Sequence, residues 1–311
     1  MRQNDTIFVA GDNTLIGAAI LRQLKTHGYY KLMGQGEQEP DLRDARSVDA
    51  FFAQKKPDYV FLAAGESGGI LANQRYPAQL MLDNLRVQTH VIETAYRHGV
   101  RKLLYLASSC SYPKHATQPL QVESLLTGPL EPTNEAYAVA KLAGIKLCQA
   151  YRQQYQADFI VGIPANVFGI GDDFDPENAH VIPALIYKMH QAQLNRDPRV
   201  TIWGTGEPKR EFIFADDLAD ACVFVMQHYS DHRPINLGGG TDISIRKLAE
   251  LIQIVVGYEG TLQFDTYRPD GIPFKALDSQ PLLSLGWQVT TELKSAIQVT
   301  YQGFLREFNQ C

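Results

Sequence analysis

Short, uninterrupted apolar runs alternate with amphipathic stretches through the first half of the chain. Strands buried on both faces read as continuous apolar runs, and strands separated by helices pair in parallel. The pattern predicts strands at residues 6–10, 59–64, 102–107 and 159–163. It predicts helices from Leu15 to about Leu24, at 44–55 with Asp44 as N-cap, at 80–98 and at 135–155. We therefore expect an α/β fold, a Rossmann-like doubly wound parallel sheet covered by helices.

The second half is less regular, and residues 169–212 are rich in Gly, Pro and Asp. The predicted elements there are a helix around 181–193, a strand at 212–214, a helix at 217–227, a strand at 235–237, a helix from the N-cap Ser244 to about Val256, and a last helix at 292–308. We interpret residues 1–168 and 213–238 as a dinucleotide-binding domain. Residues 169–212 and 239–311 are expected to form a smaller C-terminal substrate-binding lobe, because open α/β sheets bind ligands at the carboxyl ends of their strands.

Composition narrows the class of protein. The 311 residues include 29 Lys and Arg against 34 Asp and Glu, a net charge of −5, which disfavours a nucleic-acid partner. No apolar run reaches the ~20 residues that span a bilayer, and no signal peptide is recognisable. The four cysteines, Cys110, Cys148, Cys222 and Cys311, lack metal-type spacing. We expect reduced thiols, no metal and a cytoplasmic enzyme.

A glycine-rich turn, Gly11 to Gly17, lies between the first predicted strand and helix. Such a turn lets backbone N–H groups and a helix N-terminus approach a pyrophosphate. The first and last glycines of the pattern are present, but Thr14 holds the middle position. The alternative is a turn that needs glycine for its geometry alone.

Tyr137 and Lys141 are four residues apart, so a helix places phenol and ammonium on one face. A nearby cation lowers a tyrosine pKa from about 10 toward neutrality, which makes the phenol a usable proton donor and acceptor. Ser108 directly follows a predicted parallel strand, where catalytic side chains gather. The alternative is a surface Tyr/Lys pair beside a polar strand end.

Cys110 and His180 form a second candidate pair. Thiols and imidazoles ordinarily titrate at about 8.5 and 6.5, so both exchange protons near neutral pH. A lone cysteine or histidine is usually structural, and only a fold that brings both to one substrate makes them catalytic.

Four segments carry a family resemblance: Ser108–Lys114, Leu130–Cys148, Asn178–Ala184 and Trp203–Phe212. On these the chain resembles the extended short-chain dehydrogenase/reductases, in particular the epimerase/reductases of GDP-linked 4-keto-6-deoxyhexoses. The resemblance runs almost end to end. It implies epimerisation at C3 and C5 and hydride reduction at C4, which yield a GDP-L-fucose-like sugar.

The resemblance also implies residue roles. Ser108, Tyr137 and Lys141 fall on the reductase triad, and Cys110 and His180 fall on the epimerase acid/base pair, with Cys110 expected as the base. The implied cofactor-binding residues are Gly11, Asn13, Thr14, Leu15, Ile16, Gly17, Glu37, Asp41, Leu42, Ala63, Ala64, Tyr137, Lys141, Pro164, Asn166, Val167 and His180. The implied substrate-binding residues are Asn166, Lys188, Trp203, Arg210 and Lys275.

Besides Thr14 in place of the middle glycine, two departures from the family bear on ligands. The resemblance implies NADP(H), but Asn13, Gln35 and Glu37 stand where arginines usually bind its 2′-phosphate. An acidic residue about 20 positions beyond the turn suits the 2′-hydroxyl of NAD(H) instead. A solvated Glu37 in a loop is the alternative. Phe274 replaces a usual basic residue, so the sugar or nucleotide can differ from the family norm.

The expected partners are a GDP-linked 4-keto-6-deoxyhexose and a second copy of the chain, paired through helices that include the Tyr137 helix. One alternative is a related nucleotide-sugar 4-reductase or epimerase with a different substrate. The other is a non-catalytic dinucleotide- or nucleotide-sugar-binding protein, since a fold alone does not prove function.

Overall fold

A computed structural model describes residues 1–34, 39–175, 179–268, 270 and 272–308. Six parallel strands form the main sheet in the order β2-β1-β3-β4-β5-β9. They are β1 (Ile7–Ala10), β2 (Leu32–Met33), β3 (Tyr59–Leu62), β4 (Lys102–Leu106), β5 (Phe159–Pro164) and β9 (Ile235–Leu237). The predicted parallel, Rossmann-like sheet is confirmed. Its strand order reverses between β1 and β3, the place where such sheets bind ligands.

Helices cover both faces of this sheet. They are α1 (Leu15–Thr26), α2 (Ala45–Lys55), α3 (Ile70–Arg75), α4 (Pro77–Arg97), α5 (Glu135–Tyr155) and α7 (Ala215–His228). Helix α1 packs on α7, and α4 packs on both α2 and α5. The predicted N-cap is confirmed, because the Asp44 side chain accepts a hydrogen bond from the Arg46 N–H. No helix within the described ranges is long and apolar enough to cross a membrane.

The C-terminal part contains further strands and helices: β6 (Asn166–Phe168), α6 (Val181–Asn195), β7 (Arg199–Trp203), β8 (Lys209–Phe214), β10 (Asp242–Ser244), α8 (Ile245–Val256), β11 (Thr261–Asp265), β12 (Phe274–Lys275), α9 (Gln280–Ser284) and α10 (Leu293–Phe308). Strand β8 pairs with β6, β10 and β12, and β7 pairs with β11. These strands pair over long sequence separations. The predicted cap is confirmed, because Ser244 accepts from the Lys247 N–H.

Two clusters of buried apolar residues support the two-part division that we propose. The first surrounds the main sheet, and the second lies among α6, α8 and α10. The clusters follow the proposed boundaries with exceptions in both directions. Leu277, Leu282 and Trp287 belong to the segment assigned to the lobe but pack in the first cluster, and Phe168 and Phe214 belong to the dinucleotide-binding segments but pack in the second.

Candidate active site

The glycine turn lies where the strand order reverses. Gly11 has a φ of +86°, and a Cβ there would approach the Ala64 Cα to 2.5 Å. A side chain at this position would therefore separate the ends of β1 and β3. Thr14 caps α1, because its Oγ1 accepts from the Gly17 N–H at 3.0 Å and donates to the Gly11 carbonyl at 2.7 Å. The middle position is thus used to cap the helix, and the turn stays compact without a third glycine.

Most predicted cofactor residues surround this turn. A cavity of about 190 Å³ is lined by six of them: Gly11, Asn13, Thr14, Asp41, Leu42 and Ala64. Of the others, Leu15, Ile16 and Gly17 open α1, Ala63 follows β3, Pro164 ends β5, and Asn166 and Val167 open β6. Gln35 and Glu37 lie outside the described residues. The cavity at the switch point, beside a helix N-terminus, fits the pyrophosphate and adenosine portion of a dinucleotide.

Glu39, which the sequence analysis missed, lines the same cavity. Its Oε1 accepts a hydrogen bond from the Gly11 N–H at 2.5 Å. Burial raises the pKa of Glu39 to about 7; the Gly11 bond lowers it, and Asp12 raises it further. A carboxyl group that titrates near neutral pH therefore accepts a hydrogen bond from the first glycine of the turn.

The end of β4 positions the next group of side chains. Ser108 caps a short 3₁₀ turn, 109–111, and its Oγ accepts from the Cys110 N–H at 3.2 Å. Ser108 also hydrogen-bonds to the phenol of Tyr137 on the first turn of α5. The fold thus brings together the serine, cysteine and tyrosine that the sequence analysis named.

Lys141 lies one turn further along α5 and is buried. Its Nζ lies 5.9 Å from the centroid of the Tyr137 ring and donates to the Leu106 carbonyl at 3.3 Å. Helix α5 can approach the sheet because Gly144 has no side chain; a Cβ there would lie 2.4 Å from the Tyr105 ring. The predicted proximity of Tyr137 and Lys141 is therefore present, with the ammonium beside the ring.

The electrostatic expectation for this pair was wrong in direction. Burial raises the pKa of Tyr137 above its usual value, Cys110 raises it further, and the Ser108 hydrogen bond only partly opposes this. Burial also lowers the pKa of Lys141 to about 8. Desolvation disfavours both charged forms and outweighs the attraction that the spacing predicted. A phenol that keeps its proton is suited to donate it.

His180 is the N-cap residue of α6, but its side chain makes no capping hydrogen bond. Desolvation lowers the pKa of His180, Asp173 raises it, and Lys275 lowers it. The imidazole therefore lies within electrostatic reach of Lys275, a predicted substrate residue. Two sets of predicted residues result: one at the end of β4, and one around the start of α6.

Hydrogen bonds of Glu211, another residue that the sequence analysis missed, join β8 to three neighbouring segments. Glu211 is buried, and its carboxylate accepts from the N–H groups of Gly240 at 2.8 Å and Leu277 at 2.7 Å. Its backbone carbonyl accepts from Nδ2 of Asn166 at 2.8 Å. Glu211 thus fixes β8, the strand that carries Arg210, to β6.

The remaining substrate candidates form two pairs. Arg210 on β8 and Lys275 on β12 are register partners in neighbouring strands. Lys188 lies over the Trp203 ring, with its Nζ 5.5 Å from the ring centroid. Arg268 lies over the same ring, with its Cζ 4.9 Å from the centroid. This grouping of cations around an exposed aromatic ring can bind a planar base and the anionic groups attached to it.

Comparisons with known proteins identify the family of the chain. Residues 7–238 match the NAD dependent epimerase/dehydratase family. The chain is 51% identical to GDP-L-fucose synthase 1 of Arabidopsis thaliana over 300 residues, 96% of this chain and 93% of that relative. It is 44% identical to the GDP-L-fucose synthase of Escherichia coli, with 96% of each chain covered. A GDP-mannoheptose C4 reductase from Campylobacter jejuni, solved with NADP bound, superposes with a TM-score of 0.88 at 34% identity and covers 98% of this chain and 99% of that one.

Proposed function

The chain belongs to the NAD dependent epimerase/dehydratase family, and on this basis we propose that it converts a GDP-linked 4-keto-6-deoxyhexose into a GDP-L-fucose-like sugar. The reaction inverts C3 and C5 and then reduces the C4 carbonyl. The single observation that carries the proposal is the grouping of Cys110 with Ser108 and Tyr137 at the end of β4. A reductase alone needs the serine and tyrosine, whereas an epimerase also needs a base such as the thiol.

The epimerisation relies on the acidity that a 4-keto group gives to the neighbouring carbons. The Cys110 thiolate removes the proton from C3 or C5, and the electron pair moves to O4 as an enolate. His180 returns a proton to the opposite face of the ring. Desolvation lowers the pKa of His180, so its imidazolium, once formed, is a strong proton donor to the enolate.

In the reduction, the residues of the triad act on O4. A bound reduced nicotinamide supplies the hydride that C4 receives. Tyr137 donates its proton to O4, and the Ser108 hydroxyl hydrogen-bonds to the same oxygen. Lys141 would hold the bound cofactor, and it places a positive charge beside the phenol.

The GDP portion binds in the C-terminal lobe. Arg210 and Lys275 are register partners and would neutralise the diphosphate. Trp203, flanked by Lys188, presents an exposed ring on which guanine can stack. Phe274, in place of a basic residue, adds no charge to this site.

For the cofactor we propose NAD(H) in preference to NADP(H). Among the described residues lining the cavity, four carry carboxylates and only Arg43 is cationic. Arg43 is already paired, because its Nε donates to Asp41 at 3.2 Å. Glu39 stands at the Gly11 amide, where an acidic group suits the ribose 2′-hydroxyl and repels a 2′-phosphate.

This preference gives a testable result. At pH 8, kcat/KM with NADH should exceed that with NADPH by at least about tenfold, because like charges placed together cost several kcal/mol. Since the pKa of Glu39 is about 7, its negative charge is lost below that pH, and the preference should narrow at pH 6. Glu39→Gln should lower the ratio of kcat/KM with NADH to kcat/KM with NADPH at pH 8. Glu66→Gln, in the same cavity lining, is the matched control. Equal use of NADPH at pH 8 would contradict the assignment.

The pKa of Lys141 predicts the alkaline limit of the reaction. A lysine ordinarily loses its proton near 10.4, but burial lowers this pKa to about 8. The ammonium is therefore lost above pH 8, and kcat/KM should fall by up to about tenfold per pH unit beyond it. Lys141→Arg keeps its charge at these pH values, so its profile should lack this decline. An identical decline in both proteins would refute the role of Lys141.

A product assay tests the proposed function. The chain is incubated with GDP-4-keto-6-deoxy-mannose and each reduced cofactor, and the nucleotide sugar is identified by NMR. GDP-L-fucose supports the proposal. A C4-reduced sugar with unchanged C3 and C5 indicates a simple 4-reductase, the activity in the name of the Campylobacter jejuni neighbour. Binding without any turnover indicates a non-catalytic protein.

We also propose a homodimer formed through α4 and α5. Large apolar side chains are exposed along these helices: Leu82, Tyr96, Val139 and Tyr155. Tyr96 stacks on Tyr155 with the ring centroids 4.4 Å apart, which joins the two helices into one face. Such an exposed patch is typical of a protein interface.

A further inference from the structure

Asn134 occupies the N-cap position of α5 but does not cap the helix. An N-cap asparagine usually accepts from a first-turn N–H through its side-chain oxygen. Here the side chain makes no capping bond, and Nδ2 instead donates to Sγ of Cys110 at 3.1 Å. Oδ1 is buried and has no hydrogen-bond partner in the described part of the chain. The amide group is therefore directed at the thiol and not at its own helix.

An ion pair and backbone hydrogen bonds connect the loops that carry Asn134 and Cys110. Nζ of Lys114 lies 3.1 Å from Oε2 of Glu131, and the Lys114 N–H donates to the Pro129 carbonyl at 2.9 Å. The Glu131 carbonyl in turn accepts from the Asn134 N–H at 3.2 Å. Several contacts thus hold together the two segments that carry the amide and the sulfur.

A thiol acts as a base only after it has lost its proton. An N–H donor then makes a charge-assisted hydrogen bond to the sulfur and fixes its direction. Resting on the function proposed above, we propose that Asn134 is a positioning residue for epimerisation. Its Nδ2 holds the Cys110 thiolate toward the sugar.

The step that Asn134 assists is balanced. The thiolate takes a proton from C3 or C5 and becomes a thiol, the C–H electron pair becomes part of the enolate, and His180 supplies the proton that re-forms a C–H bond. Asn134 neither gains nor loses a proton in these steps. Its removal should therefore slow proton removal without stopping hydride transfer.

Two variants separate the functions of the amide. Asn134→Asp keeps the shape and an acceptor but loses the N–H donor, and Asn134→Leu loses both. In D2O, both should lower the rate of deuterium entry at C3 and C5 by about 10- to 100-fold, the usual effect of losing a hydrogen bond to a charged group. The reverse reaction, oxidation of GDP-L-fucose at C4, needs no thiolate and should change less than about threefold. Thr133→Ala, in the adjacent loop, is the matched control.

A second readout does not depend on the substrate. The rate of iodoacetamide alkylation of Cys110 at pH 7, followed by peptide mass spectrometry, should fall in both variants, because the amide N–H no longer contacts the sulfur that reacts. The proposal for Asn134 would be overturned by unchanged deuterium entry at C3 and C5. It would also be overturned if deuterium entry and the oxidation of GDP-L-fucose at C4 fell by the same factor. If the wild-type chain exchanges no protons at C3 and C5, the proposed function fails, and the alkylation rates still decide whether Asn134 stabilises the thiolate.

Discussion

Tyr137→Phe should lower the rate of C4 reduction by about 10³-fold, the middle of the range for loss of a general acid. Phenylalanine keeps the ring that packs beside Lys141 and removes only the hydroxyl that hydrogen-bonds to Ser108. Because burial raises the pKa of Tyr137, the phenol holds its proton until O4 gains negative charge. The hydroxyl is thus the proton source for the reduction.

The measurement is single-turnover oxidation of reduced cofactor with the keto-sugar, together with a cofactor titration and a thermal melt. Tyr151→Phe, on the same helix α5, is the matched control and should retain wild-type turnover. Tyr137→Phe should bind cofactor and unfold like the wild type. Retention of more than a tenth of the wild-type rate by Tyr137→Phe would remove the phenol from the mechanism.

Cys110→Ser should reduce deuterium entry at C3 and C5 by at least about 10³-fold, because a serine hydroxyl is a far weaker acid and supplies almost no anion at neutral pH. The substitution leaves the Cys110 N–H, and hence its bond to Ser108 Oγ, in place. Oxidation of GDP-L-fucose at C4 should therefore continue at a comparable rate. The two half-reactions separate in this variant.

NMR in D2O measures the exchange, and absorbance of the cofactor measures the oxidation. Cys148→Ala, a buried cysteine on α5, controls for general effects of removing a thiol. Exchange at the wild-type rate in Cys110→Ser would show that another group is the base. Loss of both half-reactions together would show that the residue supports the fold of the site and not one chemical step.

The elements that the sequence predicted well have local signals. Helix α5 begins and ends where its periodicity does, and Asp44 and Ser244 cap helices through contacts two and three residues away. Strands of the C-terminal lobe lack such signals. Arg199–Trp203 becomes a strand by pairing with Thr261–Asp265, a partner about 60 residues distant that no local pattern identifies.

The same distinction holds for the candidate site. The Tyr137 and Lys141 pair follows from spacing on one helix, so the sequence sufficed to find it. Glu39 and Asn134 were missed because their roles depend on contacts across 28 and 24 residues. Asn134 does precede the Tyr137 helix as a capping residue type, but its sequence position alone indicates a cap. The shift of the Tyr137 pKa was predicted in the wrong direction because burial is a property of the whole fold.

The central claim is that one site inverts two carbons and reduces a third. The most direct test incubates the wild-type chain with GDP-4-keto-6-deoxy-mannose and reduced cofactor in D2O and locates deuterium in the product by NMR. We predict GDP-L-fucose with deuterium at C3 and C5 and the cofactor hydrogen at C4. A C4-reduced sugar that keeps the original hydrogens and configuration at C3 and C5 would contradict the account.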